Sequence, residues 1–121
     1  MSYNVLADRY ITTEKYHHCT KFALGKEYRA KGIAREMAFY EPDIACFQEL
    51  TREMKESYLD CYFRDIYDCT PLVQILSKSM RTSMTGQNIE GIAIYFVRRR
   101  WELVEHIGVP LDQFSLSRNI S

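Results

Sequence analysis

A chain of 121 residues, 46% apolar and 26% charged, has the composition of one globular domain or part of one, which excludes disordered and fibrous classes. Sixteen basic side chains balance sixteen acidic ones, so a protein that coats nucleic acid over its whole surface is excluded, and any contact with a polyanion must be local. The longest apolar runs fall far short of the roughly 20 residues that cross a bilayer, so no membrane span is expected.

Ser2 to Asp8 (Ser-Tyr-Asn-Val-Leu-Ala-Asp) is β-prone and puts Tyr3 and Val5 on one face, Asn4 and Leu6 on the other. The polar stretch from Arg9 to Lys26, with His17, His18 and Cys19, reads as a surface loop. Its His-His-Cys cluster lacks a second ligand pair spaced to complete a zinc site. From residue 27 to 40, Ala30, Ile33, Ala34, Met37, Ala38 and Tyr40 recur at three- and four-residue steps, which predicts an amphipathic helix stopped by Pro42. Asp43 to Phe47 is nearly continuous in apolar residues and predicts a strand buried on both faces, with Cys46 as a small buried hydrophobe. Strand, helix and strand make a βαβ crossover.

Thr51 is a candidate N-cap for a second helix to about residue 64, along which Met54, Tyr58, Leu59, Tyr62 and Phe63 keep helical spacing. The segment 65–76 is β-prone. Ser77 to Glu90, with Lys78 and Arg81, reads as a loop that could line a substrate groove, and Gly91 to Val97 is the strongest strand signal in the chain. Trp101 to Val104 suggests a second strand, joined through Arg98-Arg99-Arg100 as a hairpin; a solvated connection is preferred there to a phosphate and base platform. After Phe114 no closing element is evident. Tyr3, Tyr28, Tyr40 and Tyr95 are assigned to the core with hydroxyls at its edge. Four cysteines without a CxxC pair, and the absence of a cationic leader with an apolar core, predict free thiols and a reducing compartment such as the cytosol.

Glu49 follows the apolar strand, at the carboxyl end where open α/β sheets place functional groups, and Asn4 comes from the neighbouring strand. Magnesium takes oxygen ligands and is commonly held by one or two carboxylates together with waters and phosphates. A carboxylate and an amide at one sheet edge therefore form a candidate cation and phosphate site. On spacing alone the plainer account, a loop start and a satisfied strand residue, fits better.

Ser2 to Asp8, Ala23 to Arg29 leading into Gly32-Ile33, and Pro42 to Glu49 together resemble the opening of the endonuclease/exonuclease/phosphatase superfamily. The pair Tyr28-Arg29 and the run Glu90 to Phe96 are most similar to its deadenylase branch. That resemblance implies that residues 1–121 are a partial domain, the N-terminal part of a four-layer α/β sandwich of two β-sheets flanked by helices. It implies that Glu49 binds a catalytic Mg2+ and that Asn4 is a catalytic residue beside it. It further implies a poly(A)-specific 3'-exoribonuclease of mRNA decay, with the poly(A) 3' end of RNA and the scaffold proteins of a deadenylase complex as partners, in the cytoplasm. The family completes its site with a later histidine, an Asp-x-Asn motif and an Asp-His pair. No Asp-x-Asn occurs here, and His17, His18 and His106 stand in other contexts, so the isolated chain is expected to be inactive. The alternatives are a 2',5'-oligoadenylate phosphodiesterase and a truncated domain without catalysis.

Overall fold

The computed structural model describes residues 1–7, 15, 17–18, 24–74 and 89–109. Their order is β1 (Ser2–Asn4), α1 (Lys26–Tyr40), β2 (Ile44–Thr51), a π-helical stretch (Met54–Leu59) running into α2 (Asp60–Phe63), β3 (Tyr67–Cys69), β4 (Val73–Gln74) and β5 (Glu90–Val97). These strands form one mixed sheet in the order β1-β2-β5-β3, with β4 also paired to β5. β1 and β2 are parallel, as the βαβ crossover requires, and β2 is antiparallel to β5. The class is α/β, as expected, with a single five-stranded sheet among the described residues.

Helix α1 starts after an extended Gly25, whose carbonyl accepts from the Arg29 N–H at 3.0 Å. It stops at Glu41, a left-handed residue whose N–H donates to the Met37 carbonyl at 2.9 Å, immediately before Pro42. Its buried stripe, Ala30, Ile33 and Met37, packs on the sheet face that carries Val5, Ala45, Phe47, Ala93 and Tyr95. The centre of that core is aromatic. Phe63 and Tyr95 meet edge to face at 5.1 Å between ring centres, and Phe47 approaches Tyr95 at 5.3 Å and Phe63 at 6.2 Å.

The second helix is capped as predicted, with Thr51 Oγ1 accepting from the Met54 N–H at 3.1 Å. Its first turns are π-helical, so the Asp60 N–H reaches back five residues to the Lys55 carbonyl. Five-residue spacing sets the two side chains together: Lys55 Nζ lies 2.9 Å from Asp60 Oδ2, and Asp60 Oδ1 accepts from the Tyr95 hydroxyl at 2.7 Å. The hydroxyl of a fully buried tyrosine is thereby satisfied.

Several expectations are corrected. β2 is buried on one face rather than two: Ala45 and Phe47 are fully buried, whereas Ile44 is 39% exposed and Cys46 is half-buried. The strand alternates because α1 and the second helix cover one side of the sheet, and Ile92 and Ile94 of β5 are likewise exposed on the other. Tyr28 and Tyr40 are exposed, not core. Tyr28 precedes Ala30 by two residues and so points about 200° away from the buried stripe. Tyr40 closes the helix, and its ring meets exposed Phe39 edge-on at 5.0 Å.

The 91–104 hairpin is replaced by a turn at 98–100 and a segment at 101–104 that belongs to no strand. Both edges of β5 are already taken, by β2 on one side and by β3 and β4 on the other, so no ladder remains for Trp101 to Val104. The first strand ends at Asn4 instead of running to Asp8. Asp8, Cys19, Lys78, Arg81 and everything after Val109 lie outside the described residues. His17 and His18 are exposed. No helix among the described residues is long and apolar enough to cross a membrane, and Cys46, Cys61 and Cys69 are free thiols.

Candidate active site

Asn4 and Glu49 come from neighbouring parallel strands, and their side chains meet: Asn4 Nδ2 donates to Glu49 Oε1 at 3.1 Å. The backbone of β2 makes this possible. Glu49 does not follow the strand but sits within it, where the pairs Phe47–Ala93 and Leu50–Gly91 enclose two residues on β2 and one on β5. That extra residue is a β-bulge, and Glu49 takes it up in a left-handed conformation, φ 53°. In an unbroken strand residue 49 would share the core face of Phe47. With the bulge, Leu50 takes the core position and Glu49 turns to the side bearing Asn4.

The chain just past β1 completes the arrangement. Leu6 is also left-handed, φ 62°, and its N–H donates to Asn4 Oδ1 at 2.9 Å, which closes an Asx turn. The turn aims the next amide, so that the Ala7 N–H donates to Glu49 Oε2 at 3.3 Å. Both carboxylate oxygens thus accept one neutral donor, and each keeps a lone pair for a further partner. Asn4 accepts from the Leu6 N–H through its oxygen and donates to Glu49 through its nitrogen, and by the same count its oxygen keeps one lone pair and its nitrogen one hydrogen.

Because β1 and β2 run parallel and α1 runs back between them, the N-terminal end of α1 lies at this same end of the sheet. Lys26 Nζ there binds Glu53 Oε2 at 2.8 Å. The Arg29 guanidinium donates to the carbonyls of Val5 and Leu6. Neither Ala7 nor Arg29 was legible as part of a site. A backbone amide carries no sequence signal, and Arg29 enters the sequence reading only as part of the Tyr28-Arg29 pair of the resemblance, with no role attached.

Among the described residues no three His, Cys, Asp or Glu side chains converge on one point. The donor set is a single oriented carboxylate, which fits magnesium as an anchor whose remaining positions are waters and phosphate oxygens; it does not fit zinc. A cavity of about 910 Å³ opens elsewhere, between the second half of α1, Tyr62 to Tyr67 and the turn at 98–100. Asn4 and Glu49 do not line it. Of the three arginines there, Arg98 pairs with Asp68 at 2.7 Å and Arg100 with Asp43 at 3.1 Å, so these two brace the turn.

No family model matches the chain. It is 31% identical over 119 residues to the CCR4-Not complex 3'-5'-exoribonuclease subunit Ccr4 of Mycosarcoma maydis, covering 98% of this chain and 18% of the relative. It is 30% identical over 131 residues to the CCR4-NOT transcription complex subunit 6-like-B of Xenopus laevis, covering 98% and 22%. The chain thus spans about a fifth of the length of these curated relatives. Among solved structures it is similar to ANGEL2, a 2',3'-cyclic phosphatase, in complex with adenosine-2',3'-vanadate. The TM-score is 0.65 at 20% identity, over 86% of this chain and 28% of that one. It is also similar to the human Nocturnin catalytic domain with bound sulfate, with a TM-score of 0.57 at 24% identity, over 85% and 33%.

Proposed function

Since this chain is a relative of the CCR4-type exoribonuclease subunits and shares the endonuclease/exonuclease/phosphatase fold, we propose that residues 1–121 are part of a magnesium-dependent phosphodiesterase domain of deadenylase type. Its substrate is the poly(A) 3' end of RNA, its setting cytoplasmic mRNA decay, and its partners the scaffold proteins of a deadenylase complex. The observation that carries the reading is the Asn4–Glu49 pair, brought together by a bulge that also seats Leu50 in the core and by a left-handed turn between buried Val5 and Ala7. Left-handed backbone at Leu6 and Glu49, both beside one side-chain pair at one end of the sheet, supports a functional role for that pair.

Glu49 contributes a carboxylate whose two oxygens are held by Asn4 and by the Ala7 N–H. Glu49 would hold magnesium, which would supply charge neutralisation for the phosphate and leaving-group oxygens in phosphodiester hydrolysis. The residues that orient the attacking water in this superfamily, by the resemblance a histidine, an Asp-x-Asn and an Asp-His pair, do not occur with Glu49 in this sequence.

Two measurements test the proposal. Calorimetric titration of this chain with Mn2+ should show weak uptake that Glu49→Gln removes. In a protein that also carries the remaining motifs, Glu49→Gln should abolish poly(A) shortening. Equal Mn2+ affinity in the two chains, or near-normal turnover in the variant, overturns the assignment. The chain by itself should leave poly(A) uncut; cleavage by the isolated chain would show that Asn4 and Glu49 suffice and that the mechanism differs.

A further inference from the structure

Leu6 holds a left-handed conformation that a residue with a Cβ disfavours, and the Asx bond to Asn4 leaves its own carbonyl and that of Val5 to be held from outside the turn. β1 supplies little restraint, being three residues long and paired, among the described residues, along one edge by β2. Beyond Asn4 the ladder adds one bond, from the Val5 N–H to the Gln48 carbonyl at 2.9 Å. Every later backbone acceptor in the turn that has a described partner has the same one. The Arg29 side chain reaches across from the first turn of α1 and donates, through Nη2, to both the Val5 and the Leu6 carbonyls.

Arg29 is half-buried, so its charge meets those two carbonyls where water competes weakly, and charge-assisted bonds are about twice as strong as neutral ones. The turn it holds has two outputs. The Leu6 N–H fixes the Asn4 carboxamide, and the Ala7 N–H binds Glu49 Oε2 directly. Among the described residues, the side-chain hydrogen bonds of Asn4 and Glu49 are to each other and to the Leu6 and Ala7 amides, not to Arg29. Resting on the reading of Glu49 as the cation anchor, we propose that Arg29 is a positioning residue, which sets the Val5–Leu6 turn and through it the orientation of the Asn4–Glu49 pair.

The same geometry separates this role from simple helix packing. The core contacts of α1 are made by Ala30, Ile33 and Met37, so Arg29→Met keeps an alkyl stem and the buried stripe while deleting the two bonds to the turn. Arg29→Lys keeps the charge and three donors on a flexible stem.

The test compares wild type, Arg29→Met, Arg29→Lys and Glu49→Gln as the full chain. The first readout is amide hydrogen exchange residue by residue. In Arg29→Met, the Ala7 amide should exchange at least about tenfold faster while the Phe47 and Tyr95 amides of the β2–β5 ladder keep their rates, and Arg29→Lys should recover part of the protection. Unchanged Ala7 exchange overturns the proposal, as does a loss spread evenly over β2 and β5. The second readout is Mn2+ affinity, expected to fall about tenfold in Arg29→Met, as for other residues that orient a metal ligand. If wild type and Glu49→Gln bind Mn2+ alike, the cation reading fails, and the Ala7 amide still decides whether Arg29 sets the turn.

Discussion

Glu49 occupies a backbone conformation that favours glycine, and the side chain it keeps there makes two hydrogen bonds. The conformation disfavours any L residue with a Cβ by roughly 1 kcal/mol. Glu49→Gly should therefore be more stable than Glu49→Ala by about that amount, although both lose Mn2+ uptake. Urea unfolding of the two variants checks this, and equal midpoints would mean that position 49 is not left-handed in solution. Backbone strain kept at a residue whose side chain then points to an oriented partner is the residue-scale signature of a site. The Lys55–Asp60–Tyr95 network is its opposite. It too is polar, but it joins buried Tyr95 to half-buried Lys55 and Asp60 at the margin of the core, its members satisfy one another, and it locks the second helix onto β5.

Among the elements, two glycines that look alike in sequence have opposite meanings. A Cβ at Gly32 of α1 meets nothing within 4 Å, so Gly32→Ala should raise stability by about 0.8–1 kcal/mol through helix propensity alone. A Cβ at Gly91 of β5 would lie 2.4 Å from the Val73 carbonyl oxygen and 2.9 Å from its carbon, both of them backbone atoms that cannot swing aside. Gly91→Ala should then cost about 1–3 kcal/mol and strip protection from Val73 and Gln74. Thermal melts of the pair read both signs, and a neutral Gly91→Ala would show that β4 does not hold β5 this closely. Gly91 also pairs with Leu50 directly after the bulge, so the close approach of β4 and the turning-out of Glu49 occur at one point on β5.

For the whole molecule the aromatic core determines the response to alkali. Burial pushes the Cys69 thiol from 9.0 up to about 11, and burial is also the main reason that the Tyr95, Tyr67 and Tyr3 phenols lie above 10.0. In the unfolded chain the thiol ionises near its ordinary value, whereas the folded chain still holds the proton. The stability that Cys69 contributes is accordingly complete below pH 9 and lost as pH rises from 9 towards 11, and that of the tyrosines is complete below 10.0 and lost above it. The melting temperature should be level up to about pH 8.5 and fall steadily above it, in low salt and without metal. A level profile through pH 10.5 would show that these side chains are not protected in solution.

The amino-acid sequence by itself determined the βαβ opening, the extent of α1, the Thr51 cap and the strength of β5, because each depends on local spacing, a stop signal or a run of β-branched and aromatic residues. It also brought out Asn4 and Glu49, through a resemblance rather than through their spacing. What only the tertiary structure decided was pairing. Whether β2 is covered on one face or two, whether residues 101–104 find a strand edge, and whether Glu49 faces the core or Asn4 depend on neighbours distant in the chain and on a single extra residue in a ladder. Local periodicity cannot encode a bulge, since one inserted residue reverses every side chain beyond it and leaves the composition on either side unchanged.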